Sequence, residues 1–205
     1  MLRSTRALPL LAALAALAAA PGRAHAQEST TRGLNLALHL TGSALDVEDG
    51  ANREDGGGMG ILVGYGVNRI VMPFLQIEGA GFAVDDAAIE GDWTMAHIDL
   101  GARFHFANSL RMWVPYLQAA LTGRAVSVDR ARIDDETYDE VTFNGGGLSL
   151  GGGLMVYPWE TVAFDLQLML TGGEFTEVQA GNVTVSGLEI DAGSSRLSLG
   201  ASWWP

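Results

Sequence analysis

Along residues 93–106, WTMAHIDLGARFHF, apolar and polar side chains alternate: Thr94, Ala96, Ile98, Leu100, Ala102, Phe104 and Phe106 against Trp93, Met95, His97, Asp99, Gly101, Arg103 and His105. A period of two places the two sets on opposite faces of a β-strand. The same alternation recurs in eight runs: 33–45, 58–67, 73–84, 93–106, 112–128, 142–157, 161–171 and 194–204. Leu34, Leu36, Leu38 and Leu40 oppose Asn35, Ala37, His39 and Thr41 in the first run. Leu197, Leu199, Ala201 and Trp203 oppose Arg196, Ser198, Gly200 and Ser202 in the last. No helical period competes with these strands after the N-terminal segment.

The connections alternate as well. Residues 46–57, 85–92, 129–141 and 172–193 read as long loops, and 68–72, 107–111 and 158–160 as short turns. An antiparallel meander with short turns at one end and long loops at the other is the pattern of a transmembrane barrel. The expected fold is therefore all-β: an eight-stranded antiparallel up-and-down transmembrane β-barrel, with short periplasmic turns and long extracellular loops.

Alternation alone does not say which face is wet, because a soluble barrel alternates too. Composition decides. The polar face carries few charges of balanced sign, Glu78, Asp99 and Asp165 against Arg103, Arg124 and Arg196. Such a set suits an enclosed lumen, where buried charges have to pair. That face is also rich in glycine, including Gly60, Gly64, Gly101, Gly147, Gly151, Gly153 and Gly200, which a narrow interior explains and an outer surface does not. Aromatic residues gather near strand ends. Tyr65, Phe74, Phe104, Phe106, Trp113, Tyr116, Tyr157, Trp159, Trp203 and Trp204 lie near the short turns, and Trp93, Phe143 and Phe175 nearer the long loops. Amphipathic rings favour headgroup depth, so these residues are expected to form interfacial girdles.

The first 26 residues behave differently. Arg3 and Arg6 precede an apolar run from Ala7 to Ala20, followed by Pro21-Gly22 and the triplet Ala24-His25-Ala26. This is the layout of a secretory signal peptide cleaved after Ala26, too short for a bilayer-spanning helix. Residues 27–205 are then the mature barrel domain. The chain has no cysteine, so neither a lipoprotein anchor nor a disulfide is expected. Lysine is absent too; removing Arg3, Arg6 and Arg23 from 12 basic residues leaves 9 against 24 Asp plus Glu. So acidic a chain is a poor nucleic-acid binder.

The motifs DLGARFHF, WVPYLQAALTG and RLSLGASWW resemble the membrane strands of the small eight-stranded outer-membrane β-barrels of the OmpA/OmpX type. The resemblance covers the whole mature chain. It implies residence in the cell outer membrane, contact with outer-membrane lipids and lipopolysaccharide, and recognition of the aromatic last strand by the barrel-insertion machinery. Family members usually end on the aromatic, whereas Pro205 follows Trp204 here. The resemblance also implies that the peptidoglycan-binding domain of longer relatives is absent.

Candidate chemistry is sparse. His97 and Asp99 share a face but supply only half of a metal site, and no further His or Cys spacing completes it. Lipid A deacylases of this architecture use His, Ser and Glu near the extracellular end; His105 and Ser109 sit at the other end, and His105 faces inward. The glycines of NGGGLSLGGG lack the Lys-Ser/Thr and helix of a phosphate loop. The acidic loops remain: Asp46, Glu48 and Asp49, then Asp85, Asp86, Glu90 and Asp92, then Asp134, Asp135 and Glu136. They read as solvated surface; the sharper alternative has them gripping Ca²⁺ or Mg²⁺ against lipopolysaccharide, without EF-hand spacing. Neither cofactor nor metal is expected, and no enzyme. The reading reached is a structural or surface-interaction barrel acting through its acidic loops. A narrow pore or conduit for small hydrophobic molecules is the alternative, with Met95, Met155 and Met169 as adaptable lining. A lipid A-modifying enzyme comes third.

Overall fold

The computed structural model describes residues 30–47, 54–82, 90–106, 112–133, 136–181 and 183–205. The signal segment lies outside them, as do residues 48–53, 83–89 and 134–135 of the acidic loops. Eight strands follow in chain order: β1 (Gly33–Val47), β2 (Glu54–Gly66), β3 (Val71–Phe82), β4 (Glu90–His105), β5 (Trp113–Ile133), β6 (Glu136–Trp159), β7 (Val162–Ala180) and β8 (Val183–Trp203). Each pairs antiparallel with its chain neighbours, and β8 returns to pair with β1, closing the barrel. Closure leaves no sheet edge, which a hydrocarbon environment requires.

Parity follows the alternation. Leu40 and Leu121 point outward, 68% and 65% exposed, while Arg103 and Asp165 are fully buried inside. Leu38, Ile61, Ile98, Leu100, Leu148, Leu150 and Leu170 extend the apolar outer wall around the ring. An apolar surface on that scale exceeds the few hundred Å² normal for a soluble protein. A charged interior inside an apolar exterior is instead the arrangement suited to lipid.

Two of the expected long loops are strand. Gly172 pairs with Gly193 and Val178 with Val185, so the β7–β8 ladder runs on to Ala180 and Val183. Likewise β5 and β6 pair from Trp113↔Val156 out to Ile133↔Glu136. The glycines and acids there look like loop punctuation, yet the chain stays extended: Phe175 pairs with Ile190, and after a bulge between Phe175 and Glu177 the ladder resumes with Val178 opposite Val185. Ribbon pairing satisfies the backbone wherever the chain stays extended. Strands of 21 and 24 residues in β5–β6, and of 19 and 21 in β7–β8, exceed the ~9–11 needed to cross a bilayer, so both ribbons project beyond the hydrocarbon. The remaining ends shift by a few residues. Gly181, with φ of 56°, occupies the left-handed region at the β7–β8 tip.

The short end is tightly fastened. Asn68 Oδ1 accepts from the amides of Ile70 and Val71 at 2.7 and 2.8 Å, closing the β2–β3 turn. The chain before β1 is tied there by Thr31 Oγ1 to the Arg69 carbonyl (2.9 Å) and by Tyr157 Oη to the Thr30 carbonyl (2.8 Å).

The expected girdle divides. Tyr65, Phe104, Phe106, Trp113, Trp159 and Trp203 are exposed on the outer wall, but Phe74, Tyr116, Tyr157 and Trp204 are buried in the lumen. Closeness to a strand end does not decide; parity does. The inward group joins Met72, Val114 and Met155 in an apolar floor at the short-turn end. Leu45, Met95, Val126, Phe175 and Ala192 form a second apolar layer toward the long-connection end, with Trp93 and Phe143 packed against it. Polar residues fill the space between.

Candidate functional site

The polar interior holds two clusters. Nearer the floor, Arg103 on β4 donates from Nη1 to Asp165 on β7 at 2.9 Å and from Nε to Gln118 on β5 at 2.8 Å. Its Nη2 reaches Gln167 at 3.3 Å, and its guanidinium lies 3.9 Å from the Tyr116 ring centroid. Asp165 also accepts from the Tyr116 hydroxyl at 2.7 Å and contacts His39 Nε2 at 3.3 Å. Gln167 continues to Gln76 at 3.2 Å. Glycine makes room for this cluster, because a Cβ on Gly153 would run into the Tyr116 ring and hydroxyl.

One level further from the floor, Arg196 on β8 bonds two carboxylates through Nη1: Glu78 on β3, and Asp99 on β4 at 2.7 Å. Glu78 Oε1 accepts from Thr41 at 2.7 Å and from Ser198 at 3.2 Å, while Thr122 donates to Asp99 at 2.6 Å. Ser149, bonded to Thr122, extends the set to Thr171 at 2.7 Å. Seven strands thus supply polar side chains to the two clusters; β2 supplies glycine, with Gly60 standing where a Cβ would meet Glu78.

The six charges of the inner face are therefore not three simple pairs. Arg103 takes Asp165, Arg196 takes both Glu78 and Asp99, and Arg124 takes none: all three guanidinium nitrogens of Arg124 lack a hydrogen-bond partner. Arg124 instead lies 4.5 Å from the Phe175 ring centroid. Equal numbers on a face do not guarantee matching reach across the lumen. His97 and Asp99 do not converge on a common point: His97 meets Ser194 at 3.3 Å, and Asp99 belongs to Arg196. No group of three His, Cys, Asp or Glu among the described residues has metal-binding geometry. His105 is buried between Tyr116 and Trp204, edge-on to both rings, and Ser109 lies outside the described residues.

Of the acidic-loop candidates, Glu48, Asp49, Asp134 and Asp135 fall outside the described residues, as do Asp85 and Asp86. The backbones of Asp46 and Glu136 belong to β1 and β6, paired with Gly193 and Ile133. Concave surface exists on the outer wall, where a depression of about 370 Å³ is bordered by Gly57, Met59, Gly79, Gly81, Thr94 and Ala96.

Residues 10–201 match the outer membrane protein beta-barrel domain family. The chain belongs to that family. Its fold is shared with crystallised relatives at low identity. Neisserial surface protein A matches at 17% identity over 83% of this chain and 96% of that one, with a TM-score of 0.62. Ail, the attachment invasion locus protein of Yersinia pestis, matches at 12% over 84% and 99%, with a TM-score of 0.54. OprG from Pseudomonas aeruginosa matches at 9% over 85% and 97%, with a TM-score of 0.57. No curated protein sequence matches. At such identities the likeness is one of fold, so what this outer-membrane barrel does has to come from its own interior and rim.

Proposed function

We propose that this chain is a plugged outer-membrane barrel with a structural or surface-interaction role, exercised at its acidic extracellular rim rather than through its lumen. The observation that carries the reading is the complete burial of Arg103, Asp165, Arg196 and Ser149, hydrogen-bonded across the ring above an apolar floor. Opening a conducting path would break several charge-assisted bonds at once, each of which is worth more than a neutral one. An eight-stranded lumen is in any case only wide enough for side chains to fill.

The N-terminal segment would export the chain, and the aromatic last strand would engage the barrel-insertion machinery. In place, the apolar wall would contact outer-membrane lipids, and the projecting β5–β6 and β7–β8 ribbons would stand at the lipopolysaccharide layer. Asp46, Glu48, Asp49, Asp134, Asp135 and Glu136 would give that rim its negative charge. Single-channel recording of the refolded mature chain in planar bilayers tests the reading. Silence is expected; stable conductance steps would replace it with the pore.

A further inference from the structure

Arg124 is 3% exposed, and its Nε, Nη1 and Nη2 all lack partners. A buried guanidinium with five unmet N–H donors is expensive, and an unpaired buried polar group calls for a ligand or solvent to explain it. The carboxylates of the inner face do not answer it, since Glu78 and Asp99 bond Arg196 and Asp165 bonds Arg103. They balance its charge from a distance without filling its hydrogen bonds.

Its surroundings indicate what would. Arg124 pairs across the ladder with His97 on one side and Gly145 on the other. Gly145, Gly147 and Gly173 put no side chain into the lumen on the β6–β7 side. Above Arg124, toward the long-connection end, come Val126, Leu45, Met95 and Phe175. Phe143 stands edge-on to Phe175 with centroids 6.4 Å apart. One cation thus lies beneath an apolar and partly aromatic collar. A dianion would be poorly served there, because the neighbouring Glu78–Asp99–Arg196 cluster already holds one negative charge in excess.

We propose that Arg124 anchors a lumenal site for a small amphipathic monoanion, a carboxylate carried on a short apolar or aromatic body. The carboxylate takes the guanidinium fork in two parallel bonds, and the body rests against Phe175, Val126 and Met95. The site lies on the extracellular side of the Arg196 cluster and does not depend on whether the barrel conducts.

The probe is 4-fluorobenzoate, followed by fluorine NMR on the mature chain in lipid nanodiscs, with 4-fluorobenzyl alcohol as its uncharged counterpart. Expected are saturable binding of the carboxylate alone and affinity weaker by roughly tenfold or more in Arg124→Gln. Arg32→Gln, at the opposite end, should bind as wild type. In the unaltered protein, amide shifts should move at Arg124, Gly145 and Phe175 but not at Gly101 or His105, so the test survives a variant that misfolds. Absence of saturable binding, equal binding of the alcohol, unchanged affinity in a folded Arg124→Gln, or shifts confined to other residues would each overturn the site and leave water as the partner of Arg124.

Discussion

Arg196 and Asp99 meet across the full width of the lumen: the guanidinium of β8 lies 2.7 Å from a carboxylate on β4, the strand opposite it in the ring of eight. The same nitrogen also holds Glu78. One cation therefore fixes two carboxylates and ties together parts of the wall that share no backbone ladder.

Removing that cation strands two buried negative charges. Arg196→Met is expected to lose about 3–5 kcal/mol of stability, the usual result of breaking a buried pair from one side. Urea unfolding in lipid vesicles, followed by tryptophan fluorescence, measures it. The triple replacement Glu78→Gln, Asp99→Asn, Arg196→Met should recover much of the loss, and failure to do so would show that the pairing energy is not local.

Asp165 joins Arg103, Tyr116 and His39, so Asp165→Asn keeps the shape but leaves Arg103 without its carboxylate. The destabilisation should be of similar size, about 3–5 kcal/mol. Because the pair is fully buried, molar salt should change it little, whereas a surface pair would weaken. Repeating the unfolding at low and high ionic strength separates the two cases.

On the outer wall the sign of the argument reverses. Leu121→Arg places a guanidinium in hydrocarbon and should cost about 2–4 kcal/mol near the midplane. The cost should fall toward zero for the same change at Trp113, near the short-turn end. A flat profile along β5 in the same unfolding assay would contradict a lipid-facing wall.

Trp203 and Trp204 are consecutive yet face opposite ways, the first exposed and the second in the floor. Two single-tryptophan variants, each retaining one of them, should differ under lipids brominated along the acyl chain. Strong quenching is expected for Trp203 and weak quenching for Trp204. Equal quenching would mean that the last strand does not keep its parity to the end.

Gly153 borders the Tyr116 ring. Gly153→Ala should force Tyr116 away from Asp165 and cost about 1–3 kcal/mol through overpacking. The same change at Gly123, whose Cβ would meet nothing within 4 Å, should be close to neutral. The heat-dependent shift in gel migration offers a quick comparison before unfolding is measured.

Strand number and facing were legible because both follow from neighbours two residues apart. His39, Gln76, Asp99, Gln118, Asp165 and Arg196 point into the lumen as the alternation requires. The outer ribbons were less so, since Gly172, Gly173 and Gly193 signal a turn whether or not a partner strand lies alongside. Tyr116 and Trp204 show the same limit from another side: position near a strand end suggested the girdle, but the pleat turned both rings inward.

The sequence by itself determined an eight-stranded alternation with an apolar face all round, and hence a wall that belongs in lipid. Only the closed ring decided the pairing of charges. Arg196 meets Glu78 and Asp99 over separations of 118 and 97 residues, and their distance depends on how β8 closes on β1. A lumen only a few side chains wide then lets one arginine serve two carboxylates while Arg124, on the same face, is left with an aromatic ring and unmet donors. Facing is a local property of the pleat; partnership is a property of the closed circumference.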